Sequence, residues 1–350
     1  MLGNPKMLLI LIVGIMVLGV ALYGGALGAE FGGGYLGAPL AAIQIPAESI
    51  TADAIIGDFH ITNTMIATWA AIVILALVSL IVRFRITEVP GRLQGLFEVI
   101  LEFFMDLTES IAGPERGRKF FPLVMTIFLF IVVSNWLGIL PGFGTIGRIE
   151  TVEELVHHRE AALGEGEHLD LAKLNVVVFE GDGNLGILGF GSVGDVKTVG
   201  EIEEHPLEAG KQAGILVPFL RGANTDINTT LAITLIAMLL VQFWGFTTLG
   251  VFGHLGKFFN FKEGPIGLFV GLLEIISEIA KIISFTFRLF GNIFAGEVLL
   301  VAMMFLIPLV GIIPFLGLEL FVGVIQAFIF SMLTVVFATA ATTPHHGDSH

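Results

Sequence analysis

One arginine, Arg288, stands in the apolar run Ile282-Ile-Ser-Phe-Thr-Phe-Arg-Leu-Phe-Gly-Asn-Ile-Phe-Ala-Gly-Glu-Val298. From there to residue 343 the only other charged side chains are Glu297 and Glu319. A guanidinium stays ionised at any physiological pH, so it cannot escape desolvation by losing its proton. Near a bilayer centre the cost runs from roughly 3 to above 10 kcal/mol on an isolated helix. A charge retained at such cost points to an ion path or a charged partner. Two intramembrane carboxyls suit a proton relay, because a buried acid can hold and release a proton. They are also readable as protonated, hydrogen-bonded core acids.

Helical spacing groups these residues. At about 100° per residue, Glu274, Ser277, Lys281, Ser284, Asn292 and Ala295 fall within about 40° of Arg288, and Glu278 lies about 80° away. One face thus reads Glu-Ser-Lys-Ser-Arg-Asn while the other sides are Ile, Phe, Leu and Val. A polar seam that only joins helices would have little use for an unneutralised arginine. Glu297, nine positions on, points about 180° away from Arg288, so a simple intrahelical ion pair is not expected. Glu319 shares a face of the last helix with Gln326, seven residues later. Asn224, Asp226 and Asn228 open another span as a polar mouth, and a helix N-cap would account for one of them. Asn135-Trp136 and Gln242 fit either packing or a polar path.

The elements that carry these residues follow from composition. The 350 residues are 55% hydrophobic and only 14% charged, the profile of a polytopic membrane protein. The chain has no cysteine, so disulfides and thiolate metal sites are excluded. A net charge of −14 argues against nucleic-acid binding. There is no G-x-x-x-x-G-K-[ST] loop to cradle a nucleotide, and no cofactor is expected. Residues 1–54 hold the apolar run Met7–Leu22, preceded by Lys6 and followed by the small residues Ala26-Leu-Gly-Ala29. That pattern fits a secretory signal or an uncleaved anchor, and the anchor with its N-terminus inside is favoured.

Residues 55–141 contain a span over Thr62–Val82, an amphipathic surface helix over Leu93–Ile111 and a second span over Phe120–Leu140. Arg83, Arg85, Arg116, Arg118 and Lys119 mark the inner side. Residues 142–222 are glycine-rich and acidic, with 14 Asp/Glu against 6 Lys/Arg. They are expected to form an irregular outer insertion, with a short hairpin in Asn175–Gly194. It is either a tolerated insertion or a contact for another subunit. Residues 223–263 hold a span over Asn228–Val251 and an inner loop with Lys257 and Lys262. Residues 264–341 hold the charged stripe. Pro265–Leu306, as one helix of about 40 residues, would extend roughly 60 Å, twice the hydrocarbon thickness, so it must tilt steeply or break. Pro308 and Pro314 fall in the expected turn, and Leu316–Ala341 returns. Residues 342–350 are a polar tail whose three histidines lack further ligands nearby for a metal site. The fold expected is an all-α polytopic membrane protein whose upright helices accompany a steeply tilted, near-horizontal hairpin.

Phe287-Arg-Leu-Phe-Gly-Asn-Ile-Phe-Ala-Gly-Glu297 resembles the signature of the subunit a family of F-type ATP synthases. Glu274, Lys281 and Gln326-Ala-Phe-Ile-Phe330 support the resemblance. So, in the right order, do Val89-Pro-Gly-Arg-Leu-Gln94, Asn135-Trp-Leu-Gly-Ile-Leu-Pro141 and Asp226-Ile-Asn-Thr-Thr230. The resemblance covers roughly residues 55–140 and 215–341. It implies a stator subunit, not catalytic by itself, that forms two offset proton half-channels against a ring of c subunits. Arg288 would face the ring with Asn292 and Gln326 beside it. Glu297 and Glu319 would transfer protons in the outer half-channel, with Asp226 and Asn228 near its mouth. Glu274, Glu278, Lys281 and Ser284 would line the inner one. Implied partners are the c-ring, b-type peripheral stalk subunits and the rest of the synthase, in a bacterial inner membrane. Many relatives carry a histidine at one acid position, whereas this chain has glutamate at both. A secondary transporter is the alternative reading, although no inverted repeat is visible.

Overall fold

The structure is a computed structural model that describes residues 5–25, 28, 31, 47–50, 60–84, 86–87, 89–140, 143–156, 174–181, 183, 185–187, 196–258, 264–307 and 310–343. The histidine-containing tail beyond residue 343 and the small-residue run Ala26–Ala29, apart from Gly28, lie outside the described residues. The chain divides into two compact bodies. One comprises Met1–Ile66, Gly138–Gly222 and Ala295–Leu320; the other comprises Ala67–Leu137, Ala223–Phe294 and Phe321–His350.

The helices are α1 (Pro5–Gly24), α2 (Asn63–Phe84), α3 (Arg92–Ala112), α4 (Pro114–Ile139), α5 (Val199–Glu204), α6 (Ile227–Phe258), α7 (Gly264–Leu306) and α8 (Ile312–Thr342). Among the described residues, α2, α4, α6, α7 and α8 are long and apolar enough to cross a membrane. The protein is a multi-pass membrane protein. Its surface carries long rows of exposed Leu, Ile, Val and Phe, as lipid contact requires. The amphipathic helix forms as α3, with Glu98, Glu102 and Asp106 exposed and Phe104, Thr108 and Ala112 buried.

The core of the helical body joins Phe104 and Ala112 of α3, Phe120, Val124 and Ile131 of α4, Val241 and Trp244 of α6, Phe285, Leu289 and Ile293 of α7, and Ala327, Phe330 and Val335 of α8. Aromatic pairs lock it. Phe120 lies against Trp244 at 4.4 Å, and Phe285 meets Phe330 edge-on at 4.7 Å. Such pairs add about 0.5–1.5 kcal/mol beyond the area they bury.

α7 runs unbroken for 43 residues, with nearly the bounds read from the sequence. Two other helix boundaries depart from that reading. Pro314 lies inside the first turn of α8, where its missing N–H would have no intrahelical partner anyway. α6 does not give way to a loop after Val251. It turns at Gly250 (φ 73, ψ 164) and resumes as helix to Phe258. That turn lays the His254 ring over Gly245, where any Cβ would collide with it.

The insertion is not irregular. Strands β1 (Ile146–Thr151), β2 (Asn175–Glu180), β3 (Leu185–Ile187), β4 (Val196–Thr198) and β5 (Lys211–Pro218) form one antiparallel sheet in the order β3-β1-β5-β2-β4. The expected hairpin is also corrected. β2 pairs with β5 and β4, while β3 pairs with β1. Strand β5 is central because it is the longest run, and it supplies the buried Ala213, Ile215 and Val217. Leu155, Leu174, Val176 and Val199 close a small core around it.

Candidate functional site

The helical body holds the arginine. Phe285, Leu289 and Ile293 anchor one side of α7 in the core, and the neighbouring side stays uncovered. Ser277, Ser284, Arg288 and Asn292 are on that uncovered side, as their spacing predicts. Arg288 Nη2 donates to Ser284 Oγ at 3.4 Å, and the guanidinium stands 5.5 Å from the Phe285 ring centre. No carboxylate pairs with it among the described residues. Gln326 is buried on α8, and its Nε2 finds no hydrogen-bond partner among the described residues.

Lys281 departs from the helical arithmetic, which puts it on the arginine face. Its long stem swings the ammonium to Glu278 Oε1 at 2.6 Å, and over the Phe337 ring at 5.0 Å. Glu278 Oε2 in turn accepts from Gln242 Nε2 at 3.0 Å, and Gln242 Oε1 lies 2.7 Å from His254 Nε2. An ionised carboxylate only accepts, so the amide nitrogen of Gln242 faces Glu278 and its oxygen faces His254. His254 Nε2 must therefore carry the proton. The result is an unbroken polar chain from His254 through Gln242 and Glu278 to Lys281. A cavity of 240 Å³ opens beside it, with Gln242 and Glu278 set among Leu235, Met238, Ile275 and Ile279. That volume has room for several waters. Glu274 is half-buried one turn before Glu278.

Two of the mouth residues make structural hydrogen bonds. Asp226 is the N-cap of α6, where its Oδ1 accepts from the Asn228 backbone N–H at 2.9 Å. Asn224 donates to Asn135 Oδ1 at 2.7 Å, and Asn135 donates to the Gly323 carbonyl at 3.3 Å. Asn228 presents its side chain to the surface.

The other body holds the acids. Glu297 is gripped by Arg221, whose Nε lies 3.2 and 3.3 Å from the two carboxylate oxygens and whose Nη2 lies 3.1 Å from Oε2. Arg221 is only 5% exposed, whereas the Glu297 side chain keeps 32% of its surface open. Its pairing with Glu297 agrees with the expectation that no intrahelical partner would serve. Glu319 is 8% exposed, and its carboxylate lies against the Gly296 backbone, where a side chain would occupy the same space. Glu319 thus packs against the residue that precedes Glu297.

Two more residues join this cluster. Glu48 Oε2 accepts from Asn63 Nδ2 at 3.1 Å, and Asn63 also donates to the Pro218 carbonyl at 3.2 Å. Burial pushes the Glu48 carboxyl up to about 7; Arg221 opposes the shift, while Glu297 and Glu150 add to it. Sequence reasoning missed Arg221, although a lone arginine just before the Asn224–Asn228 mouth in an acidic segment was a usable signal. Nothing local distinguishes Glu48 or His254.

A family model described as ATP synthase A chain matches residues 65–339. Among curated proteins, the chain is similar to an ATP synthase subunit a of Desulforamulus reducens. The two are 28% identical over 297 residues, covering 82% of each chain.

Proposed function

The chain belongs to the ATP synthase A chain family, and on that premise we propose that it is the stator that couples proton flow to rotation of a c-subunit ring in an F-type synthase. The observation that carries this reading is Arg288, which is exposed on α7 while Phe285, Leu289 and Ile293 fix the adjoining side in the core. A charge so placed needs a partner from another chain.

A rotor carboxyl must be neutral to face lipid. Beside Arg288, at about 4 Å and an effective dielectric near 20, attraction favours its ionised form by on the order of 4 kcal/mol, or about three pKa units. That is enough to expel the proton as each c subunit passes. The fixed charge also bars direct leakage between two offset half-channels. Glu297 and Glu319 serve the outer half-channel. Glu274, Glu278 and the Gln242–His254 relay with its cavity serve the inner one, and Lys281 balances Glu278. Asn292 and Ser284 provide neutral polar groups along the rotor-facing surface, while Gln326 stays buried on α8. Arg83, Arg116, Arg118, Lys119 and Lys257 support a topology with their helix ends on the inner side of a bacterial plasma membrane and residues 142–222 on the outer side. The chain does not itself hydrolyse nucleotide. Its partners are the c-ring, the peripheral stalk and the remaining subunits.

The test is Arg288→Ala in the whole synthase reconstituted into vesicles. ATP-driven proton pumping is expected to vanish while the catalytic head still hydrolyses ATP. Near-normal coupled pumping would sink the reading.

A further inference from the structure

We propose that Glu48 is a further proton-exchange group, which takes protons from the outer aqueous side and hands them to Glu297, with Arg221 steadying whichever of the two carboxylates is ionised. The proposal rests on the stator reading above. It begins from a built arrangement of four segments distant in sequence. A short antiparallel contact fixes the Glu48 segment against the start of α2: the Ile50 N–H donates to the Ile61 carbonyl at 2.9 Å, and the Asn63 N–H donates to the Glu48 carbonyl at 3.1 Å. Asn63 is fully buried and ties the Glu48 carboxylate to the end of β5. Arg221 follows that strand, Glu150 comes from β1, and Glu297 comes from α7.

The groups acting on Glu48 are one guanidinium, which attracts its charge, and the carboxyls of Glu297 and Glu150, which repel it. Arg221 is already engaged by Glu297 through both carboxylate oxygens. Arg221 therefore bears on both carboxylates. The proton affinity of Glu48, near neutrality, lets it load and unload at physiological pH. The step balances. A proton from water neutralises the Glu48 carboxylate and then passes to the Glu297 carboxylate. Glu48 regains its charge, and Arg221 transfers its pairing from Glu297 to Glu48. The next transfer inward restores the starting state.

The test uses the whole synthase in liposomes, with ATP synthesis driven by an acid–base jump and read against the pH of the outer-facing compartment. Glu48→Gln keeps the shape but cannot carry a proton. The rate is expected to fall on the order of 10²-fold, the contribution of a positioned acid–base group. The wild type is expected to show an inflection near pH 7, which the variant should lose. Glu48→Asp should keep an inflection, displaced because the shorter side chain withdraws from Asn63. A Glu48→Gln enzyme with the wild-type rate and profile overturns the proposal. If that variant does not assemble, an unchanged profile in Glu48→Asp overturns it instead. Arg288→Ala, measured in parallel, separates the two ideas. Pumping retained there removes the stator reading itself. Pumping lost there, with Glu48→Gln unaffected, removes only the role of Glu48.

Discussion

Gly296→Ala sets local helix preference against a tertiary contact. In the interior of α7 an alanine should favour helix by about 1 kcal/mol over glycine. The Gly296 Cα, however, faces the Glu319 carboxylate, and an added Cβ would overlap it. Glu319 is 8% exposed, so its side chain has little free space into which to retreat. Restoring ordinary van der Waals separation requires a shift on the order of 1 Å. Overpacking of that kind costs about 1–3 kcal/mol. The two terms largely cancel in stability, so melting of the purified complex should change by only a few degrees. Proton transfer is far less tolerant, because a misplacement of about 1 Å can cost roughly 10²-fold in rate. The assay is ATP-driven proton pumping at matched complex assembly. Pumping is expected to fall at least tenfold, on that same geometric sensitivity. Glu319→Asp, introduced beside Gly296→Ala, removes one methylene and withdraws the carboxyl by roughly one C–C bond, about 1.5 Å. Partial recovery of pumping is then expected. Wild-type pumping in Gly296→Ala alone would show that the position of the Glu319 carboxylate does not matter, and would refute the argument.

Gly250→Ala should destabilise the protein by about 1–3 kcal/mol, because the backbone there (φ 73, ψ 164) is nearly restricted to glycine. Gly253→Ala, where the added methyl meets only ordinary contact with Leu249, should be neutral or stabilising by up to about 1 kcal/mol; thermal melting distinguishes them. Asp226→Ala should cost about 1 kcal/mol through loss of the α6 cap, and Asp226→Asn should recover most of it. Pumping per assembled complex should stay near wild type in both Asp226 variants, and a selective loss of pumping would give Asp226 a role beyond capping.

The long helices were legible because their apolar runs exceed what a bilayer span needs, and the charges flanking them are few. The polar stripe on α7 was legible too. Exposure on α7 follows the helical period from Ser277 through Ser284 and Arg288 to Asn292. Where a side chain is long and flexible, the period says less. Lys281 sits on the stripe by its Cα and leaves it by its ammonium. The insertion hid its sheet because β1 and β5 are joined across an intervening segment, so no local hairpin signal reports their pairing.

By itself the sequence determined the fold class, the apolar spans, the position of Arg288 in an apolar helix, and the two acids at Glu297 and Glu319. Each depends on local composition or on the periodicity of one helix. Only the tertiary structure decided which groups those acids meet. Arg221 reaches Glu297 across 76 positions, and Asn63 reaches Pro218 across 155. It also revealed Glu48 beside them and the fold of α6 at Gly250 that delivers His254 to Gln242. The physical reason is common to these cases. A pattern along the chain records which side of an element must leave water, whereas an ion pair or a relay depends on side chains meeting from segments with no sequence relation.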